Sequence, residues 1–138
     1  MITREANAVW NKNLKQGNGT MQFGSVESTY TFASRFESGE GTNPEELIGA
    51  AHAGCFSMAF ANKLDQAGHQ PRSVQTTAKV NLDMDQGKIT RIDLHTEADV
   101  PGLGEDDFQR IAEDAKANCP ISRTLSGVEI TLDAKLKG

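Results

Sequence analysis

Residues 42–64, TNPEELIGAAHAGCFSMAFANKL, constrain this chain more than any other stretch. The segment opens as a helix does. Thr42 or Asn43 stands where a cap is needed, and Pro44 suits the first helical position. Glu45 and Glu46 set negative charge at the positive end of the helix dipole. Small and apolar residues then recur at helical spacing, namely Leu47, Ile48, Ala51, Cys55, Met58 and Ala59, and Gly68 makes a natural stop. With Gly49, Ala50, Ala53, Gly54 and Ser57 among them the helix is thin, so another element can approach its backbone closely. Cys55 is the side chain on it with reactive chemistry.

The flanking segments alternate as strands do. Residues 3–10 predict an edge strand, 12–19 a hairpin connection, and 20–24 and 28–36 two more strands, the last with Tyr30, Phe32 and Ser34 on one face. A charged, glycine-rich loop at 37–41 leads into the helix. Beyond it, 73–83 is a strand with Val74, Thr76, Ala78, Val80 and Leu82 alternating with polar neighbours, and 85–88 is its turn. Residues 89–100 pair back, Ile89, Arg91, Asp93 and His95 on one face and Thr90, Ile92, Leu94 and Thr96 on the other. A second amphipathic helix spans 105–118, with Phe108, Ile111, Ala112 and Ala115 on its apolar stripe. One short helical turn follows at 120–125. A last strand spans 128–136, with Val128, Ile130, Leu132 and Ala134 inward. Strands, a long helix, a hairpin, a helix and a strand make an α+β domain of antiparallel sheets with segregated elements. At 138 residues the expectation is one domain covering 1–138. Its first three strands precede any helix able to cover them, which suggests an interleaved homodimer.

A net charge of −5 argues against nucleic acid or an anionic membrane as partner. Neither a signal peptide nor an apolar run of membrane-spanning length is visible, so the expected location is the cytoplasm, where thiols are kept reduced. Two cysteines in that setting, Cys55 in the helix and Cys119 just before Pro120, are either small buried hydrophobes or a redox pair. His52, three residues before Cys55 and on the same helix face, opens a different class, a Cys–His hydrolase or acyltransferase. Against that class, no glycine-rich oxyanion turn is evident, and His52 also suits a packing or hydrogen-bonding role at a dimer contact. His69 and His95 read as surface residues. A metal site from Cys55, Cys119 and His52 lacks the paired spacing of a CxxC motif. A non-enzymatic redox sensor is the remaining alternative.

The segment GTNPEELIGAAHAGCFSMA, residues 41–59, resembles the signature of the OsmC/Ohr family of thiol-dependent organic hydroperoxide reductases and osmotically inducible proteins, and NCPIS, residues 118–122, resembles that family's second motif. SRFE at 34–37 and EITLDAKL at 129–136 extend the likeness, which is nearer the OsmC branch than the Ohr branch. The resemblance implies an OsmC-like fold, an intertwined homodimer and a two-cysteine peroxidase without metal, haem, flavin or other cofactor, acting in oxidative and osmotic stress. It implies organic hydroperoxides and also hydrogen peroxide as substrates, and a dithiol such as a lipoyl group as reductant. By the same resemblance Cys55 is the peroxidatic cysteine, Cys119 the resolving cysteine, Glu45 the catalytic glutamate and Arg35 the arginine beside the thiolate. Arg4 is the second choice, because the Ohr branch takes its arginine from near the N-terminus.

An unperturbed cysteine with a pKa of about 8.5 is only about 3% thiolate at pH 7, and the thiolate is the nucleophile. Helix-dipole effects fade within the first turn, and Cys55 lies about three turns in. A guanidinium within about 4–6 Å lowers such a pKa by roughly 1–3 units, the role expected of Arg35, with Glu45 pinning it in a bidentate ion pair. Phe56, Met58 and Phe60 are the apolar neighbours expected to favour peroxides with hydrocarbon tails. Distance is the difficulty. Ten residues of straight helix rise about 15 Å, so Glu45 does not touch Cys55 of the same unbroken helix. Either the regular helix begins later, near residues 47–49, or Glu45 acts from a partner subunit.

Overall fold

A computed structural model describes residues 1–138, which group into two compact units, Met1–Leu47 and Ile48–Gly138. In the first unit β1 (Ala6–Asn11), β2 (Asn18–Phe23) and β3 (Val26–Thr31) form an antiparallel sheet in the order β1-β2-β3. Trp10 pairs with Gly19, and Gly19 with Tyr30. The missing side chain at 19 lets the two flanking rings meet at 5.1 Å; a Cβ there would lie 2.7 Å from Tyr30 and 2.8 Å from Trp10. No apolar side chain of this unit is fully buried, and Val9 and Val26 are 55% and 47% exposed.

The strand expected over 28–36 ends early. Chain after Thr31 turns into a short helix, α1 (Phe32–Phe36), because Thr31 and Ser34 form a reciprocal capping box. The Ser34 amide donates to Thr31 Oγ1 at 3.1 Å, and the Thr31 amide to Ser34 Oγ at 2.8 Å. The Ser34 hydroxyl also donates to the Thr42 carbonyl at 2.7 Å, and Asn43 Nδ2 to the Ser34 carbonyl at 3.0 Å. These bonds tie α1 to the start of the long helix.

That helix, α2 (Pro44–Gln66), begins at Pro44 and continues unbroken for 23 residues, so a later start near 47–49 is overturned. Asn43 caps it, its Oδ1 accepting the Glu46 amide at 2.8 Å. At the far end the Gly68 amide bonds the Asp65 carbonyl and the His69 amide bonds the Leu64 carbonyl, both at 2.9 Å, with Gly68 at φ +87°. This is a Schellman ending, and it uses the left-handed backbone that glycine adopts without a steric penalty. No helix of the chain is long and apolar enough to cross a membrane.

In the second unit β4 (Ser73–Asp83) and β5 (Lys88–Asp99) form a long antiparallel hairpin, and β6 (Glu129–Lys137) joins the far side of β5. β6 runs parallel to β5, so this sheet is mixed rather than purely antiparallel. The connection is the crossover that a parallel pair requires, α3 (Glu105–Asn118) followed by α4 (Pro120–Thr124). A bulge at Asn81/Leu82 shifts the register by one residue. As a result Ile89, which sequence alternation places with Arg91 and His95, packs on the core.

Phe56, Phe60 and Leu64 of α2 meet Ile92, Leu94 and Ala98 of β5 and Phe108, Ile111, Ala112 and Ala115 of α3, with Cys119 inside the same cluster. The buried face of α2 therefore differs from the expected stripe. His52, Phe56, Phe60 and Leu64, spaced by four, point inward, while Ala51 is exposed and Met58 is 77% exposed. Burial free energy scales with apolar area, so two phenylalanines and a leucine outweigh a row of alanines. Hydroxyls fasten the helix to the sheet: Ser57 donates to Thr76 at 2.7 Å, and Thr76 pairs with Thr96 at 3.0 Å.

Candidate active site

Two elements far apart in sequence bring the sulfurs together. Cys55 sits half-buried one position before the core residue Phe56. Cys119 ends α3 and starts α4: its amide bonds the Ala115 carbonyl at 2.9 Å, and Pro120 opens the next turn. A kink at this point drops the Cys119 side chain fully into the core. Its thiol donates to Cys55 Sγ at 3.0 Å across 64 residues of sequence, and both cysteines are free. A disulfide needs about 2.05 Å, so about 1 Å of closure joins them.

The electrostatics of the pair are unequal. Burial pushes the Cys55 thiol up, and sharing a hydrogen bond with Cys119 adds to this, against a smaller lowering by the Ile121 amide. Burial also opposes ionisation of Cys119. There, however, the contact with Cys55, the amide and hydroxyl of Ser122 and the Ile121 amide outweigh it and hold its pKa below the usual thiol value. The sequence reading placed the anion on Cys55. Within this chain the donors converge instead on Cys119, at the first turn of α4.

Arg35 and Glu45 meet in the first unit, where Arg35 Nε donates to Glu45 Oε1 at 2.9 Å. The contact is single, not the bidentate pair expected. Glu45 is 12% exposed and its Oε2 is buried without a partner, while Arg35 is 36% exposed. The guanidinium stands 5.1 Å over the Phe36 ring, and only Nε of its three nitrogens is engaged. It rims a cleft of about 210 Å³ lined by Trp10, Leu14, Tyr30, Phe32 and Phe36. Phe56 and Phe60, expected beside a substrate, are core residues instead, and Met58 points to solvent.

Among the other candidates, Arg4 is exposed and bonds only the Thr3 carbonyl. His52 is fully buried, and its Nε2 pairs with Ser122 Oγ at 2.8 Å, not with Cys55. His95 lies on the exposed face of β5, 3.3 Å from Asp133, and His69 is half-buried at the end of α2. Cys55, Cys119 and His52 do not form a group able to hold a metal ion. Ser122 escaped the sequence reading. Its signal was its place three residues after Cys119, one helical turn away inside NCPIS.

Residues 37–133 match the family described as OsmC-like protein. The chain is 48% identical to peroxiredoxin OsmC of Escherichia coli K12 over 99% of its own length and 98% of that protein's. It is 28% identical to organic hydroperoxide resistance protein-like 1 of Staphylococcus epidermidis, covering 71% of this chain and 72% of the other. Its fold is that of an OsmC-like protein from Mycoplasma pneumoniae, with TM-score 0.77, 19% identity and 99% of each chain covered.

Proposed function

This chain belongs to the OsmC-like protein family, and from that premise we propose that it is a two-cysteine peroxidase reducing organic hydroperoxides, and hydrogen peroxide as a smaller substrate, in oxidative and osmotic stress defence. The observation that carries the reading is the 3.0 Å approach of two free sulfurs from distant elements. The Cys55 thiolate attacks the peroxide O–O bond and becomes a sulfenic acid, and the alkoxide leaves as the alcohol after taking a proton. Cys119 then condenses with it to a disulfide and releases water. An external dithiol, such as a lipoyl group, restores both thiols, and the protein works in the cytoplasm.

Burial raises the Cys55 pKa, so activation requires a positive group, and Arg35 is the one we assign. Its unengaged nitrogens suit both a thiolate and the charge developing on a leaving alkoxide. Glu45 lies ten residues before Cys55 in one continuous helix, about 15 Å of rise. We therefore assign the Arg35–Glu45 pair to the Cys55 of a second copy in an interleaved homodimer, with both compact units of each chain serving as one working domain. Support comes from the first unit's lack of any buried apolar side chain and from the exposed α2 face of Ala50, Ala51, Gly54 and Met58. An aromatic cleft beside Arg35 suits the hydrocarbon tail of a peroxide.

Two variants test this reading. Arg35→Ala should raise the Cys55 thiol pKa by about 1–3 units, followed by thiolate absorbance, and slow peroxide cleavage at pH 7 in proportion. An unchanged pKa and rate would remove Arg35 from the mechanism. Cys119→Ser should consume one equivalent of peroxide and stop, with Cys55 then overoxidised to sulfinic acid by excess peroxide, seen by intact mass. Full peroxide turnover by that variant would remove Cys119 from the mechanism, and acid release from ester substrates that the variant retains would place the protein among Cys–His hydrolases.

A further inference from the structure

We propose that the hydrogen bond between His52 and Ser122 is a clamp between α2 and α4 that holds Cys119 within closing distance of Cys55, so that its loss slows disulfide closure and leaves peroxide cleavage intact. This rests on the peroxidase reading and adds two positioning residues to it.

Two side-chain contacts join α2 to the corner at Cys119. His52 Nε2 lies 2.8 Å from Ser122 Oγ, and Cys119 Sγ lies 3.0 Å from Cys55 Sγ. On α2 the cysteine comes three residues after the histidine, and on the facing segment the serine comes three residues after the cysteine. The two pairs therefore form antiparallel rungs, one helical turn apart on each wall. With five residues, α4 is too short to be held by its own backbone bonds. Ile121 and Leu125 pack against the core, but apolar contact is non-directional and sets no register. The Thr124 hydroxyl bonds the Pro120 carbonyl at 2.9 Å, inside the same turn. His52–Ser122 is thus the directional side-chain bond that fixes α4 against α2. Both partners are buried, so water does not compete for it. His52 Nδ1 is buried without a partner, and burial lowers the pKa of the ring, which is neutral with a single N–H. On Nδ1 that hydrogen would be a stranded donor. On Nε2 it donates to Ser122 Oγ and only a lone pair goes unmatched, which is the tautomer the geometry favours.

Closure is the step that needs both walls. Peroxide cleavage uses Cys55 alone and leaves S–OH on it. Cys119 then gives up its proton and attacks the Cys55 sulfur, the S–S bond forms, and the S–O bond breaks. The departing hydroxide takes up the proton that Cys119 released and leaves as water. Peroxide is the oxidant, the two sulfurs supply the two electrons, and no further reagent enters. A bond one turn away orders α4 before this step, and proximity of that kind enters the rate directly. It also favours the disulfide at equilibrium, because less freedom is left to lose when the sulfurs join. His52 and Ser122 both act through the position of Cys119.

One turnover of the reduced full-length protein with cumene hydroperoxide separates the two steps, with peroxide loss followed directly and sulfenic acid and disulfide followed by quenched samples and intact mass. Ser122→Ala should slow closure about five- to tenfold, the scale of one lost hydrogen bond, with sulfenic acid accumulating and peroxide loss not slowed. His52→Leu should behave the same way. The double variant should be no slower than the slower single, because the same bond is lost in all three. His52→Gln, whose amide restores an N–H toward Ser122, should bring closure back to within about twofold of the parent, a rescue that mere filling of space does not give. Equilibration against dithiothreitol should show the disulfide potential of Ser122→Ala raised by about 20–30 mV, the same fold-change converted at about 30 mV per tenfold. Closure within about twofold of the parent in Ser122→Ala overturns the proposal. So does equal slowing of both steps, a double variant slowed by the product of the singles, or a His52→Gln protein as slow as His52→Leu. Should His52→Leu fail to fold, Ser122→Ala and His52→Gln decide the matter alone. A parent protein that consumes no peroxide would defeat the peroxidase reading instead, and that result is distinct from all of these.

Discussion

Cys55→Ser should abolish peroxide consumption, with a loss of about a thousandfold or more. The nucleophile is the one part of such a site whose removal leaves only what binding and neighbouring dipoles supply. A serine oxygen in its place is a far weaker nucleophile at neutral pH, and the half-buried position lacks a base to activate it: the His52 ring faces Ser122. The substitution replaces sulfur by oxygen at a partly exposed position, so thermal unfolding should move by only a few degrees. The measurement is dithiol-dependent loss of cumene hydroperoxide, with unfolding followed on the same samples. Activity above about one per cent of the parent would show that the chemistry lies elsewhere.

The second large effect concerns stability. Phe60→Ala should cost about 3–5 kcal/mol, a large share of the roughly 5–15 kcal/mol that holds a domain of this size folded. Phe60 is fully buried, with its ring 5.6 Å from that of Phe56 and 5.4 Å from that of Phe108, so it joins α2 to α3. Truncating it leaves a cavity that two helices and a sheet cannot close without moving. Urea unfolding should show a midpoint lowered in proportion with little change in slope. Met58→Ala, two positions away and 77% exposed, should change stability by no more than about 0.5 kcal/mol. Equal effects at the two positions would contradict the burial pattern of α2.

That pair of residues also shows how far the sequence could be read. Segments with one strong periodicity came out cleanly. β4 spans Ser73–Asp83 and α3 spans Glu105–Asn118 as their alternation and stripe predict, because each has a single face with large apolar residues. α2 misled, since alanines and glycines on every side blur the apolar period, and Phe56, Phe60 and Leu64 set the inward face. α1 was hidden by the alternation of Tyr30, Phe32 and Ser34, which imitates a strand until the Thr31–Ser34 capping box is recognised. Parallel pairing of β6 leaves no mark in local pattern, because it depends on which edge of the hairpin the crossover reaches. For the candidate site, Cys55, Cys119, Arg35 and Glu45 were nominated through a family likeness. Their geometry was not, and the His52–Ser122 bond, closed across 70 residues, has no local signature at all.

The parallel strand carries a consequence for how the protein is made. Because β6 enters beside β5 only after α3 and α4 have crossed the sheet, the Cys119 sulfur takes its place beside Cys55 only once the chain through α4 has been made. On the peroxidase reading proposed above, a nascent chain that meets oxidant before that point has no second sulfur to protect the first from irreversible oxidation.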